Sequence, residues 1–259
     1  MCSYLKRKGK IHAKIATIMT DFAPHDQWLV GSDFTDYYFV AHDKMKQYLI
    51  SKNIPEQHIF ATGIPLSKRF LEKHDKTKVL KEFSLSENKK TILFFGGGEF
   101  GLGKNKTVEI FDSFVSFNHD LQIIGIAGKN EKMKLAFENI VEKYNAKDRV
   151  IVLPFTDKVP ELMSVSTLVV TKPGGMTTTE SVASHLPMII INPIPGQEEE
   201  NAEFLESKGI GIWIKKDTNV SSLLNDLFSN PNKLEIMKEN TKLLAKPNST
   251  KNICKILLS

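Results

Sequence analysis

An α/β fold on a parallel sheet is what this 259-residue chain predicts, on three observations. From about Lys90 onward, apolar β-branched runs alternate with segments of helical period, the order that βαβ units impose. The runs are apolar throughout rather than alternating, as strands covered on both faces must be. Glycine clusters follow two of them at once, where a strand turns into a helix.

Taken in order, KIATIMT (14–20) and DYYFVAH (36–42) read as strands, Met45 to Lys52 as a helix, and FATGIPLS (60–67) as an extended or turning connection through Gly-Ile-Pro. The charged stretch LEKHDKTKVLKEFSLSENKK (71–90) marks a domain boundary or linker. Strands follow at TILFFG (91–96), LQIIGIAG (121–128), RVIVLPF (149–155), STLVVT (166–171), PMIIIN (187–192) and GIGIWI (209–214). Between them Val108, Phe111, Phe114 and Val115 form one helix stripe and Met133, Phe137, Ile140 and Tyr144 another, both expected in the core. Leu234, Met237, Thr241 and Leu244 suggest a further helix, which KPNS (246–249) interrupts before a last segment, KNICKILL. Six strands after Lys90 against two or three before it predict a complete C-terminal domain over 86–246, a partial domain over 1–85 and a terminal helix over 247–259. An incomplete front sheet leaves an apolar edge uncovered, which predicts poor solubility.

The chain carries 35 basic and 30 acidic residues, net +5, and only Arg7, Arg69 and Arg149 are arginines. A mild lysine excess without an arginine-rich, aromatic-interleaved strip argues against nucleic acid and fits attraction to an anionic membrane surface or simple solubility. Two cysteines, Cys2 and Cys254, near opposite ends and without metal-ligand spacing, argue for a reducing, cytoplasmic setting and against a disulfide or zinc framework. No apolar run reaches the length of a spanning helix, so a membrane contact is expected to be peripheral.

Three strand-to-helix turns carry candidate chemistry. In TKPGGMTTTE (171–180), Gly174 and Gly175 precede a helix start whose unpaired N–H groups suit a phosphate, with Lys172 nearby. The alternative is a T-x-x-E capping box formed by Thr177 and Glu180; the paired glycines favour the ligand, because close backbone approach needs room without Cβ atoms. In FFGGGEFGLGKN (94–105), a G-x-G-x-x-G pattern can be laid on Gly96, Gly98 and Gly101, a weak signal that tight βα turns also produce. In INPIPGQEEENAEF (191–204), Gln197 and Asn201 lie four apart on one helix face, a neutral pair able to bond sugar hydroxyls, whereas Glu198 to Glu200 read as surface charge complementing the helix dipole. All three turns fall at the carboxyl edge of the sheet, where open α/β sheets bind ligands. A P-loop is disfavoured, since no G-x-x-x-x-G-K-[ST] occurs. In TDFAPHDQW (20–28), Asp21 and His25 follow a strand and either could accept a proton; equally, Asp21 could cap a turn and His25 be an ordinary surface residue.

Together these elements resemble the diacylglycerol glycosyltransferases of the bacterial diglucosyl-diacylglycerol synthase and plant monogalactosyldiacylglycerol synthase type, and more distantly the murein glycosyltransferase that makes lipid II. TDFAPHDQW, YFVAHD, ATGIP, TKPGGMTTTES and NPIPGQEEENAEF carry the resemblance, in that order, from about Thr17 to Ile214. It implies a GT-B fold of two Rossmann-like domains, with a UDP-sugar (UDP-glucose or UDP-galactose) on the C-terminal domain and diacylglycerol on the N-terminal one, at the cytoplasmic membrane face. It implies that Gly174, Gly175, Met176 and Thr177, beside Lys172, bind the diphosphate, Glu180 the ribose, Gln197 and Asn201 the hexose and the Phe155 backbone the uracil, with Gly97 and Gly98 of the GGGEFG loop beside the donor. His25 would face the cleft. No cofactor and no metal are implied; the UDP-sugar is the donor substrate. In the family a strand and a glycine- and histidine-containing loop that helps supply the base precede the TD…H segment, so this chain resembles a version lacking that third. A catalytically incomplete UDP-sugar-binding module, a lipid II-type transferase and a UDP-sugar epimerase are the alternatives.

Overall fold

A computed structural model describes residues 1–97, 104–117 and 120–258. The front region opens with α1 (Cys2–Arg7) and builds a three-stranded parallel sheet from β1 (Ala16–Ile18), β2 (Tyr37–Phe39) and β3 (Ile59–Phe60), in that spatial order, with α2 (Asp43–Ser51) between the last two. Met19, Tyr38, Val40, Met45, Leu49 and Ile59 form its small core. Among the described residues β1 pairs on one side only, and Ala16 is exposed there.

The rest of the chain is a second layer system. In order it comprises α3 (Lys76–Glu82), β4 (Lys90–Phe95), α4 (Lys104–Ser116), β5 (Leu121–Ile126), α5 (Glu131–Lys143), β6 (Val150–Leu153), α6 (Val159–Val165), β7 (Leu168–Thr171), α7 (Gly175–Ala183), β8 (Met188–Ile190), α8 (Gln197–Ser207), β9 (Gly211–Trp213), α9 (Val220–Ser229), α10 (Pro231–Leu244) and α11 (Ser249–Leu258). The six strands are all parallel in the order β6-β5-β4-β7-β8-β9, which reverses direction between β4 and β7. That reversal opens a crevice at the strands' carboxyl ends.

Both faces are covered, which explains the unbroken apolar runs. Ile92 and Phe94 of β4 turn to one face, where Phe94 meets Phe111 edge-on at 5.1 Å and Phe111 stacks on Phe137 at 3.8 Å. Leu93, between them, turns to the other face with Leu162, Val182 and Leu205. Helix starts follow side-chain caps: Asp75 accepts from the Lys78 N–H at 3.1 Å, Asn130 from Met133 at 3.1 Å and Asn219 from Ser222 at 2.9 Å. Pro247 separates α10 from α11, as its missing N–H requires.

Packing moves the boundary expected at residue 85. Helix α3 lies on α6, Lys158 pairs with Glu82, and Phe70, Phe83 and Leu85 pack against the larger unit's core. Buried Gln122 of β5 holds Ser86 at both its N–H and its carbonyl, 2.8 Å each. The charge run at 71–90 is therefore the solvated outer face of the larger unit rather than a free linker. Helix α11 crosses back to the front sheet, where Ser249 Oγ donates to the Gly63 carbonyl at 2.7 Å and Lys246 Nζ to Ala61 at 2.6 Å.

Candidate functional site

A cleft of about 470 Å³ opens at the crevice between β4 and β7. Phe95, Ile126 and Thr171 close its floor at the ends of β4, β5 and β7, and Phe155, Thr156 and Val159 form one wall beyond β6. Gly97, Gly128 and Gly174 supply backbone without side chains; Lys129, Lys172 and Glu198 supply charge. The wall residue Phe155 is 63% exposed, with Lys129 Nζ 5.6 Å from its ring centre.

At the mouth, α7 begins at Gly175 with Gly174 as its N-cap and no side-chain cap. Thr177 is the third residue of the helix, three positions past its N-cap, so the T-x-x-E box over Thr177 and Glu180 does not form. The hydroxyls of Thr179 and Ser181 turn back to the carbonyls of Gly175 and Thr177, leaving the first-turn N–H groups without intrahelical partners.

The two glycines differ in purpose. A Cβ on Gly174 would meet nothing nearer than Glu198 Oε1 at 3.8 Å, and Gly174 lines the cleft. A Cβ on Gly175 would lie 1.7 Å from the Thr20 carbonyl oxygen. Open space in front of the helix start thus belongs to Gly174 alone; Gly175 lets the front region's backbone touch the helix. Met176 is exposed and does not line the cleft, whereas Thr177 does. The half-buried carboxyl of Glu180, one turn further along, is pushed up to about 7 by desolvation. Gly98 and most of the GGGEFG loop lie outside the described residues.

Asn201 corrects the expectation of a hexose contact. It is completely buried, its Oδ1 accepts the Phe22 N–H at 2.9 Å, and its Nδ2 donates to the Pro173 carbonyl at 3.0 Å and Asp21 Oδ1 at 3.2 Å. No surface remains for a sugar. Gln197 Nε2 donates to the other oxygen of Asp21. Asp21 holds two amides, and His25 Nδ1 accepts the Gln27 N–H at 3.2 Å and caps a short turn, so both residues of the expected proton-acceptor pair are engaged in local bonds. Neither lines the cleft.

Sequence reasoning missed Lys129, Glu198 and His42. Lys129 follows Gly128 directly after β5, the same strand-then-glycine signal that marked the other turns. Glu198 sits in the acidic run read as surface charge; it lines the cleft and accepts the Ile194 N–H at 2.7 Å, while its neighbour Glu199 caps α8. His42 stacks on Phe204 at 4.2 Å, donates from Nε2 to the Phe22 carbonyl at 2.8 Å, and burial holds its pKa below the usual histidine range. Among the described residues no group of three or more His, Cys, Asp or Glu could hold a metal ion, and no helix is long and apolar enough to cross a membrane.

The model of the glycosyltransferase family 28 C-terminal domain matches residues 91–253, the unit that builds the cleft. The chain belongs to glycosyltransferase family 28. The model of monogalactosyldiacylglycerol (MGDG) synthase matches residues 1–66, which end where the front packing ends. A processive diacylglycerol beta-glucosyltransferase of Bacillus licheniformis is 35% identical over 250 residues, 96% of this chain, and the chain spans 63% of that relative's length. Among solved structures, a UDP-GlcNAc 2-epimerase from Neisseria meningitidis bound to UDP-GlcNAc superposes with a TM-score of 0.73 at 16% identity, over 99% of this chain and 72% of its own. MurG of Acinetobacter baumannii superposes at 0.68 and 18%, over 99% and 69%. The α/β architecture is of the GT-B type expected from the resemblance.

Proposed function

We propose that the cleft binds the UDP part of a UDP-hexose and that the protein transfers the hexose to diacylglycerol at an anionic membrane surface. The observation that carries this reading is the uncapped start of α7 opening on a cleft whose walls also hold Lys129 and Lys172. In such a transfer the anomeric carbon exchanges its bond to the diphosphate oxygen for one to the acceptor oxygen, UDP departs as the leaving group, and the hydroxyl's proton is released to solvent. The negative charge that grows on the departing phosphate meets helix N–H groups and two ammonium groups already in place. Uracil lies against the backbone and ring at Phe155, and Glu180, once ionised, accepts from the ribose hydroxyls. The name of the Bacillus licheniformis relative favours glucose as the hexose.

Incubation of the chain with labelled UDP-glucose or UDP-galactose and vesicles of diacylglycerol and an anionic lipid tests the reading, with UDP binding measured alongside by calorimetry. Glycolipid product supports it. Binding of UDP without product favours a donor-binding module, which the commitment of Asp21 and His25 to other bonds makes the competing reading. No UDP binding overturns both.

A further inference from the structure

The carboxylate of Asp21 lies across the junction from α8, and we propose that it is a positioning residue which fixes the polarity of the Gln197 amide, so that a carbonyl oxygen, not an amino group, is offered to the donor hexose. The orientation of Asn201 starts the chain of constraints. Its oxygen must face the Phe22 N–H, which only donates, and its amino group must face the Pro173 carbonyl, which only accepts. That amino group also reaches Asp21 Oδ1 at 3.2 Å. The other Asp21 oxygen can only accept while the side chain is ionised, so Gln197 turns its amino group toward it. Gln197 Oε1 is left pointing away from Asp21, and among the described residues nothing donates to it. Gln197 is the first residue of α8, half-buried, and its neighbour Glu198 lines the cleft. An acceptor fixed there suits a sugar hydroxyl in its donating role.

The inference rests on the UDP-hexose reading of the cleft. Its test compares UDP-hexose with analogues in which one hydroxyl at a time is replaced by fluorine, which accepts weakly and never donates. In the unsubstituted chain one position should show a hydroxyl-over-fluorine preference of about fivefold to tenfold, the size of one net hydrogen bond. In Asp21→Asn the asparagine oxygen stays with the Asn201 amino group and its own amino group faces Gln197, so the glutamine amide inverts. The preference should fall to about one while affinity for UDP alone stays the same. Asp21→Asn combined with Gln197→Glu, which moves the charge across the pair, should recover the preference. An unchanged preference in Asp21→Asn, or no recovery in the double variant, overturns the role given to Asp21. No UDP binding by the unsubstituted chain overturns the donor-site reading and the hexose contact with it.

Discussion

The turn after β7 and the turn after β1 look alike in sequence and differ in what their polar groups have left to offer. After β7, Gly174 opens on the cleft, α7 starts uncapped and, among the described residues, Glu180 has no ionic partner to offset its burial. After β1, Asp21 holds Gln197 and Asn201, His25 holds Gln27, and His42, from the next strand's end, holds Phe22. Residue types that suit chemistry are present in both turns. Only the first keeps unfilled hydrogen-bonding capacity beside open volume; the second uses its capacity to fasten the front sheet onto α7 and α8. A polar residue after a strand is thus a ligand-binding residue only where the fold leaves it unanswered.

The sharpest way to break this comparison is to add one methyl group on either side of it. Gly175→Ala places a Cβ 1.7 Å from the Thr20 carbonyl oxygen, backbone against backbone, with no flexible side chain to yield. The expected loss of unfolding stability is about 3 kcal/mol, at the upper end for overpacking. Gly174→Ala meets its nearest atom at 3.8 Å and has an ordinary φ of −64°. Its stability should stay within about 0.5 kcal/mol of the parent while UDP affinity falls, because the methyl group enters the space facing the helix start. Urea unfolding and calorimetry on both variants check the pair, and equal effects on stability would end the distinction between the two glycines.

Titration separates the same two regions with opposite signs. The Glu180 carboxyl ionises near 7 when folded against an ordinary 4.5. The folded state keeps a proton that the unfolded chain has lost, so its contribution is fully present below about 4.5 and is lost as pH rises through 7. Glu180→Gln should remove that alkaline-side loss in unfolding curves between pH 5 and 8, and should weaken UDP binding at pH 8 by about 2 kcal/mol, the size of a hydrogen bond to a charged group. His42 runs the other way. Its folded pKa lies below the ordinary 6.5, so its contribution is present above 6.5 and is lost as pH falls toward the folded value. His42→Phe should flatten the acid side of the stability profile, at a cost of about 1 kcal/mol at pH 7 from the unanswered Phe22 carbonyl.

Legibility followed the range of the forces involved. The strands of the large sheet were readable because burial on both faces leaves a local mark, an unbroken apolar run such as LVV in β7. The turn after β7 was readable because glycine at a strand end is a local backbone requirement. What escaped were long-range pairings. Nothing in TDFAPHDQW announces that Asp21 meets residues 176 and 180 positions away, and nothing in GG separates a glycine facing volume from one facing Thr20. The charge run at 71–90 misled for a related reason: solvated lysines and glutamates on the outer face of α3 hide Phe83 and Leu85, which pack inward. His42, inside YFVAHD, gave no sign of its stack on Phe204, because stacking partners leave no spacing rule in the chain.

The smallest expected effect lies at the outer wall of the cleft. Phe155 is 63% exposed and, among the described residues, packs against no core cluster, so Phe155→Ala should move the unfolding midpoint by less than the error of most measurements, within about 0.5 kcal/mol. If the ring lies against uracil, the variant should lose about 1 kcal/mol of UDP affinity, the scale of one aromatic contact. Lys129 Nζ stands 5.6 Å from that ring centre and lines the same wall, so Lys129→Met keeps the stem and removes the charge. The two variants should then part company with ligand length: Phe155→Ala weakens uridine and UDP alike, whereas Lys129→Met weakens UDP and leaves uridine unchanged, since only the diphosphate carries the charge that an ammonium group answers. Calorimetry with uridine, UMP and UDP on both variants reads this directly. Equal losses on uridine would place Lys129 at the base instead of the phosphates and would reverse the direction in which the nucleotide lies along the cleft.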